Sequence, residues 1–262
     1  MGFSRKTVRR ATLGLLLGSF LLLLGACTTA PGGKAATPSS PTAPETRTVV
    51  IGIDPQDMVL NPATHTLYAV SDPENSLDGS ISVINASTCN SLQASGCADN
   101  TPSVQVGNGP GALAVDQATD TVYVVNANSN TVSVINGAIC NAQRIAGCSL
   151  TPPVIKLPEN PVDVAVNQAN DTVYVANWGN GSGTTVSVIN GKACNAQVTS
   201  GCRQVPVQVT VGTGPAGIFM DQSTNTVYAA TVAPNGPGPS RSSTERPAMP
   251  PPHQAAAESR RQ

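Results

Sequence analysis

Four tyrosines, each at the same position of a recurring segment, constrain this chain more than anything else in it. Gly109 to Asn126 (GPGALAVDQATDTVYVVN) is matched by Asn160 to Asn177 (NPVDVAVNQANDTVYVAN), by Gly214 to Ala230 (GPAGIFMDQSTNTVYAA) and more loosely by Asp54 to Ser71 (DPQDMVLNPATHTLYAVS). Tyr68, Tyr123, Tyr174 and Tyr228 mark one position in the four copies, 55, 51 and 54 residues apart. A sequence that repeats at such a period uses one supersecondary unit several times, and each unit buries its apolar face on its neighbours. Within a copy the apolar residues alternate, as at Val122 and Val124 and again at Val132 and Val134, and β-branched side chains dominate. Period two with that composition predicts strands. Asp116 to Asp120 supplies a turn after the first strand and Asn126 to Asn130 one after the second. A third strand follows over Thr131 to Asn136, and a fourth over Pro153 to Leu157 after an excursion.

Four short antiparallel strands per repeat predict a propeller blade. Tyr174-Val-Ala-Asn177, Thr131-Val-Ser-Val-Ile-Asn136 and Thr185-Val-Ser-Val-Ile-Asn190 resemble the YVTN-type β-propeller repeats of bacterial surface and periplasmic proteins, relatives of the WD40 and NHL groups. The resemblance covers Thr46 to about Thr231. It departs from the family pattern in having Gln for Pro after the turn Asp or Asn in three copies, and a long insert before the fourth strand. Both departures fall in loops. A β-sandwich has no reason to repeat its sequence, and most solenoid coils are shorter than these repeats. The expected fold is therefore all-β, a β-propeller of four-stranded antiparallel blades forming an incomplete arc of three full blades and part of a fourth.

Six of the seven cysteines fall into the repeats as Cys89 and Cys97, Cys140 and Cys148, and Cys194 and Cys202, each pair written Cys-Asn, five residues, Gly-Cys. Six cysteines allow 15 connectivities, but one pair per copy of a common unit selects the local pairing. Zinc requires a tetrahedral cluster of Cys or His ligands, and the two histidines, His65 and His253, lie away from these pairs. Disulfides are expected, each pinning a peripheral loop on the outer hairpin of its blade.

The seventh cysteine belongs to the N-terminus. Arg5, Lys6, Arg9 and Arg10 precede an apolar stretch from Ala11 to Leu24, the form of a secretory signal. Leu24-Gly25-Ala26-Cys27 resembles the lipobox of bacterial lipoproteins, which implies cleavage before Cys27 and its lipidation. The apolar stretch is shorter than the roughly 20 residues that cross a bilayer, which argues against a spanning helix. Arg9-Arg10-Ala11-Thr12-Leu13 also resembles a twin-arginine signal, so general secretion and twin-arginine export both stay open. Residues 1–26 are then a signal peptide. Residues 27–45 are a lipidated Cys with a Thr, Ala, Pro and Gly tether, too poor in apolar side chains to bury a core, and 46–231 hold the propeller repeats. The expected location is the extracytoplasmic side of the bacterial cell membrane, held by the lipid.

Propeller ligands favour the face near the central axis, which here would carry Asn128, Asn130, Trp178 and the acidic run Asp72, Glu74 and Asp78. Trp178, the single tryptophan, sits in a Gly- and Asn-rich loop, either as a contact residue or lying across its own blade. Gly107-Asn-Gly-Pro-Gly111 precedes a strand rather than the helix that a phosphate-cradling loop needs. Asp116, Asn167 and Asp221 offer one side chain per turn, far from the six to eight oxygens calcium takes, and read as turn caps; no metal and no cofactor are expected. Between Thr46 and Thr231 twelve acidic side chains face five basic ones, which disfavours nucleic acid as a partner. With a sole histidine in the repeats no Ser, His and Asp constellation assembles, so no catalytic residue is expected.

The leading expectation is a surface-tethered, non-enzymatic binding module whose partners are the membrane, through its lipid, and an envelope or extracellular protein or glycan. The alternative is a propeller enzyme or enzyme subunit, since some related propellers are lactonases, streptogramin lyases or partners of quinoprotein dehydrogenases, or else a non-functional fragment of a longer propeller. The pattern breaks after Thr231, and 232–262 form a Pro-, Arg- and Ser-rich tail expected to be disordered. Closed propellers use four to eight blades, so the tail reads as the product of a truncation or frameshift in a longer ring. Thr46 to Ile51 reads as an orphan fourth strand; a four-bladed closure lacking one strand is the competing arrangement.

Overall fold

The computed structural model describes residues 48–73, 78–97, 101–158 and 160–232; the signal peptide, Cys27, most of the tether and almost all of the tail lie outside them. Strands pair in the order of the chain. β1 (Pro55–Asn61), β2 (Thr66–Ser71), β3 (Ser80–Asn85) and β4 (Ser103–Gln105) form blade 1. Blade 2 is built from β5 (Pro110–Asp116), β6 (Thr121–Asn126), β7 (Thr131–Asn136) and β8 (Val154–Lys156), and blade 3 from β9 (Pro161–Asn167), β10 (Thr172–Asn177), β11 (Thr185–Asn190) and β12 (Val207–Thr210). A two-stranded sheet, β13 (Pro215–Asp221) and β14 (Thr226–Thr231), begins blade 4. All pairings are antiparallel, and the result is an incomplete propeller arc.

The turn chemistry explains the repeat's polar letters. Asp116 accepts from Ala118 N at 3.0 Å and from the Thr119 hydroxyl at 2.9 Å, Asn167 accepts from Ala169 N, and Asp221 accepts from Ser223 and Thr224. These are Asx turns. The last residue of each turn, His65, Asp120, Asp171 or Asn225, has a φ of 48 to 56°, a left-handed conformation in which Asn, Asp and His are enriched.

Blades stack face to face, so a middle strand is buried on both sides. Every residue of β6 is buried. Val122 and Val124 join Tyr68, Val70 and Ile81 of blade 1 in one cluster, while Tyr123 and Val125 join Val164, Val173 and Val175 of blade 3 in the next. A Val fully removed from water stabilises by roughly 1.5–3 kcal/mol, and the second strands supply most of these residues.

The disulfides Cys89–Cys97, Cys140–Cys148 and Cys194–Cys202 are all formed. The loops of blades 2 and 3 do more than pin an outer hairpin, because they fold back onto the preceding blade. The Tyr68 hydroxyl donates to the Cys140 carbonyl and the Tyr123 hydroxyl to the Cys194 carbonyl, both at 2.7 Å. Beside them Ala142 N donates to Thr66 Oγ1 and Ala196 N to Thr121 Oγ1, both at 2.8 Å. Two of the three glutamines that replace the family proline also bridge blades. Gln168 Nε2 donates to Val115 O while its Oε1 accepts from Gln117 N, and Gln222 repeats both bonds on Val166 and Gln168. Residues 48–51 form no strand; Ser82 Oγ donates to Ile51 O and Ser71 Oγ to Ile53 O, which lays this segment against blade 1. A strand needs a neighbouring strand to exchange hydrogen bonds with, and the described residues offer none at that place.

Candidate functional site: carboxylates on the first strands

The first strands β1, β5, β9 and β13 neighbour one another along the inner edge of the arc. Each begins with a proline, Pro55, Pro110, Pro161 or Pro215, after a residue in the left-handed region: Asp54, Gly109, Asn160 or Gly214. At the start of β1, β5 and β13 the register with the second strand shifts. Blade 3 shifts at the same place, between Ala176 and Asn177 opposite Asp163 and Pro161. Bulges of this kind re-aim side chains and cluster near active sites.

The residue two positions beyond each proline is Asp57, Ala112, Asp163 and Gly217 in turn: acid, small, acid, small. Asp57 accepts from Met58 N at 2.8 Å and from Leu113 N of blade 2 at 3.2 Å. Asp163 accepts from Val164 N at 2.8 Å and from Ile218 N of blade 4 at 2.7 Å. Burial pushes the Asp163 carboxyl above the usual carboxylate range, the two N–H donors pull against that, and the charge of Asp57 adds a smaller upward push. No basic side chain pairs with either acid among the described residues.

The residues singled out from the sequence lie in the loops at the same end of the blades, beside the starts of the first strands. Asn130 has a φ of 55° and its Oδ1 accepts from Asn160 N at 2.7 Å, bridging blade 2 to the start of blade 3. Asn128 Nδ2 donates to Asn108 Oδ1 at 2.8 Å. Trp178 is half-buried beside Gly181, whose position leaves room for its indole. Asp72 and Asp78 stand in the loop between β2 and β3, where Asp72 N donates to Asp54 O at 3.2 Å, and Glu74 is outside the described residues. The axial pair was missed because its repeat column reads Asp, Ala, Asp, Gly; alternation of acid with small residues was the available signal. A groove of about 960 Å³ lies away from it, at the outer edges of blades 2 and 3, lined by Val154, Lys156, Leu157, Arg203, Val205 and Pro206 among others.

Comparison with known proteins bears on the fold. A family model described as "Lactonase, 7-bladed beta-propeller" matches residues 78–204, from the start of β3's hairpin to the disulfide loop of blade 3. Among solved structures, the hydrazine synthase of Kuenenia stuttgartiensis is 20% identical with a TM-score of 0.50, over 73% of this chain and 46% of that one. A chain of a nidogen/laminin complex is 15% identical with a TM-score of 0.38, over 53% of this chain and 44% of that one. This chain thus spans about half the length of the structures it matches. Among curated proteins none matches. The class defined is a partial β-propeller similar to the lactonase type. That likeness overturns the expectation of a non-enzymatic chain, which rested on the lack of a histidine or metal-ligand cluster near the axis. Carboxylates can carry acid–base chemistry without either.

Proposed function

We propose that this chain forms part of a propeller hydrolase of lactonase type, with Asp163 as general base and Asp57 as the neighbour that tunes it. The observation that carries the reading is Asp163 itself: a carboxyl on an inner strand, raised above its usual range by burial, on the stretch that matches the lactonase family. A base whose pKa moves toward the working pH transfers protons more effectively.

In this reading Asp163 takes a proton from water as the water oxygen bonds to the lactone carbonyl carbon. The ring C–O bond then breaks, and the departing alkoxide recovers the proton from the Asp163 carboxyl, giving a hydroxy acid. Gly217 carries no side chain where a Cβ would stand 3.8 Å from Asp163 Oδ2. The YVTN-like character of the repeats and attachment through Cys27 are compatible with hydrolysis at the cell surface.

The test is hydrolysis of a panel of five- and six-membered lactones by the oxidised chain. Asp163→Asn is expected to lower the rate by about 100-fold or more. Activity should rise with pH as Asp163 ionises. Asp57→Asn removes a charge that raises the Asp163 pKa, so it should move that acid limb to lower pH. Ring opening no faster than in Asp163→Asn, across the panel, sinks the reading.

A further inference from the structure

The two ends of the arc are the two halves of an interface that the molecule already makes internally. In the junction between blades 1 and 2, the forward face of blade 1 presents Tyr68 and Val59, on paired positions of β2 and β1. The rear face of blade 2 answers with Leu113 and Val115, 5% and 6% exposed, and with the Cys140–Cys148 loop. Tyr68 Oη and Thr66 Oγ1 bind that loop at Cys140 O and Ala142 N. The junction between blades 2 and 3 repeats both bonds with Tyr123, Thr121, Cys194 and Ala196.

At the forward end, Phe219 and Tyr228 hold the paired positions of Val59 and Tyr68, and they are 66% and 57% exposed. Thr226 stands where Thr66 stands. At the rear end, Met58 and Leu60 hold the positions of Leu113 and Val115 and are 59% and 48% exposed. The Cys89–Cys97 loop projects there with Leu92 fully open to solvent. Among the described residues, neither the Tyr228 hydroxyl nor the Cys89 carbonyl has a hydrogen-bond partner. Segment 48–53 lies over Ser71 and Ser82 and leaves Met58, Leu60 and the loop uncovered.

We infer that a second copy of this chain docks end to end, the Phe219 and Tyr228 face of one copy seated on the Met58, Leu60 and Cys89–Cys97 face of the other. Tyr228 Oη donates to Cys89 O of the second copy, and Ser91 N of that copy donates to Thr226 Oγ1. The argument for this occupant is continuity with an existing interface: both ends carry apolar residues where the internal junctions bury them, together with the same donor and acceptor groups. The contact is heterologous, so it either closes a ring or continues as a chain of copies. It is independent of the hydrolytic reading.

Sedimentation velocity on the oxidised 262-residue chain tests it. Concentration-dependent association is expected in the range of about 1–100 µM, the scale of a small, weakly preorganised contact. Tyr228→Phe should weaken it roughly fivefold. Met58→Asp and Tyr228→Asp, at exposed sites that leave the melting of the isolated chain unchanged, should each weaken it by more than ~100-fold by burying a charge. An equimolar mixture of these two variants should form a dimer again, because each retains the end that the other lacks. A wild-type chain that stays monomeric throughout the range, or variants that fail to complement, overturns the inference.

Discussion

Tyr68 and Tyr123 are the residues on which blade stacking turns. Each ring fills an apolar layer, and each hydroxyl satisfies a carbonyl of the next blade's loop. Removing one partner of a buried hydrogen bond costs about 1–3 kcal/mol, so Tyr68→Phe and Tyr123→Phe should each lower stability by that amount in urea titrations. Tyr174→Phe should cost little, because no partner meets its hydroxyl among the described residues. The same burial pushes both buried phenols above their ordinary range, aided by Asp120 at Tyr68 and by Asp116 and Asp171 at Tyr123, against a smaller opposing effect of the Thr hydroxyls. A raised folded pKa contributes stability that is fully present below the unfolded value near 10 and is lost as pH climbs toward the folded value. Alkaline unfolding should therefore begin above pH 10 and shift in the Phe variants.

At the scale of the element, the three disulfide loops share a sequence but not an environment. Cys140, Cys148, Cys194 and Cys202 are buried against a preceding blade, whereas Cys89 and Cys97 are only half-buried. Thiol attack needs access to sulfur, so mild reductant followed by alkylation and mass spectrometry should open Cys89–Cys97 first, and equal rates at all three would contradict the docked arrangement. A nine-residue ring constrains the unfolded chain by roughly 2.5 kcal/mol in the chain-entropy account. Loss of Cys140–Cys148 should exceed this, since the loop's bonds to Tyr68 and Thr66 loosen with it. These bonds were not legible in the sequence. A repeat shows what each copy has in common, and it paired the cysteines for that reason, but Tyr68 and Cys140 are 72 residues apart and nothing local links them. The glutamines escaped for a similar reason. Gln168 sits in a turn, where a single-blade reading gives it no work, and its partners belong to the blade before.

For the molecule as a whole, burial peaks in blade 2, covered on both sides, and falls toward β1 and β14, where Met58, Phe219 and Tyr228 are open. Opening free energies follow such gradients in quasi-linear assemblies. Amide exchange should be slowest in β6, intermediate in β2 and β10, and fastest in β14; uniform protection across the blades would show instead a single all-or-none unit. Blade number, strand order and the incomplete arc were readable because tertiary stacking imposes its period on the sequence. The acidic pair was not, because Asp57 and Asp163 occupy alternate copies and so break the very repetition that exposed the fold. The non-enzymatic expectation rested on shared letters, whereas Asp163 sits in a column where the letters differ.

The loop that crosses from one blade to its predecessor also bears on how such a chain grows. Blade 2 carries its tyrosine for the neighbour ahead and its disulfide loop for the neighbour behind, and blade 3 adds a glutamine that reaches back. A tandem duplication of a single unit therefore delivers a matched plug and socket in one event, with no second change required to join them. Blade 1 shows the other side of this economy of parts: Pro62 stands where blades 3 and 4 have the bridging glutamine, and among the described residues there is no earlier blade for it to grip.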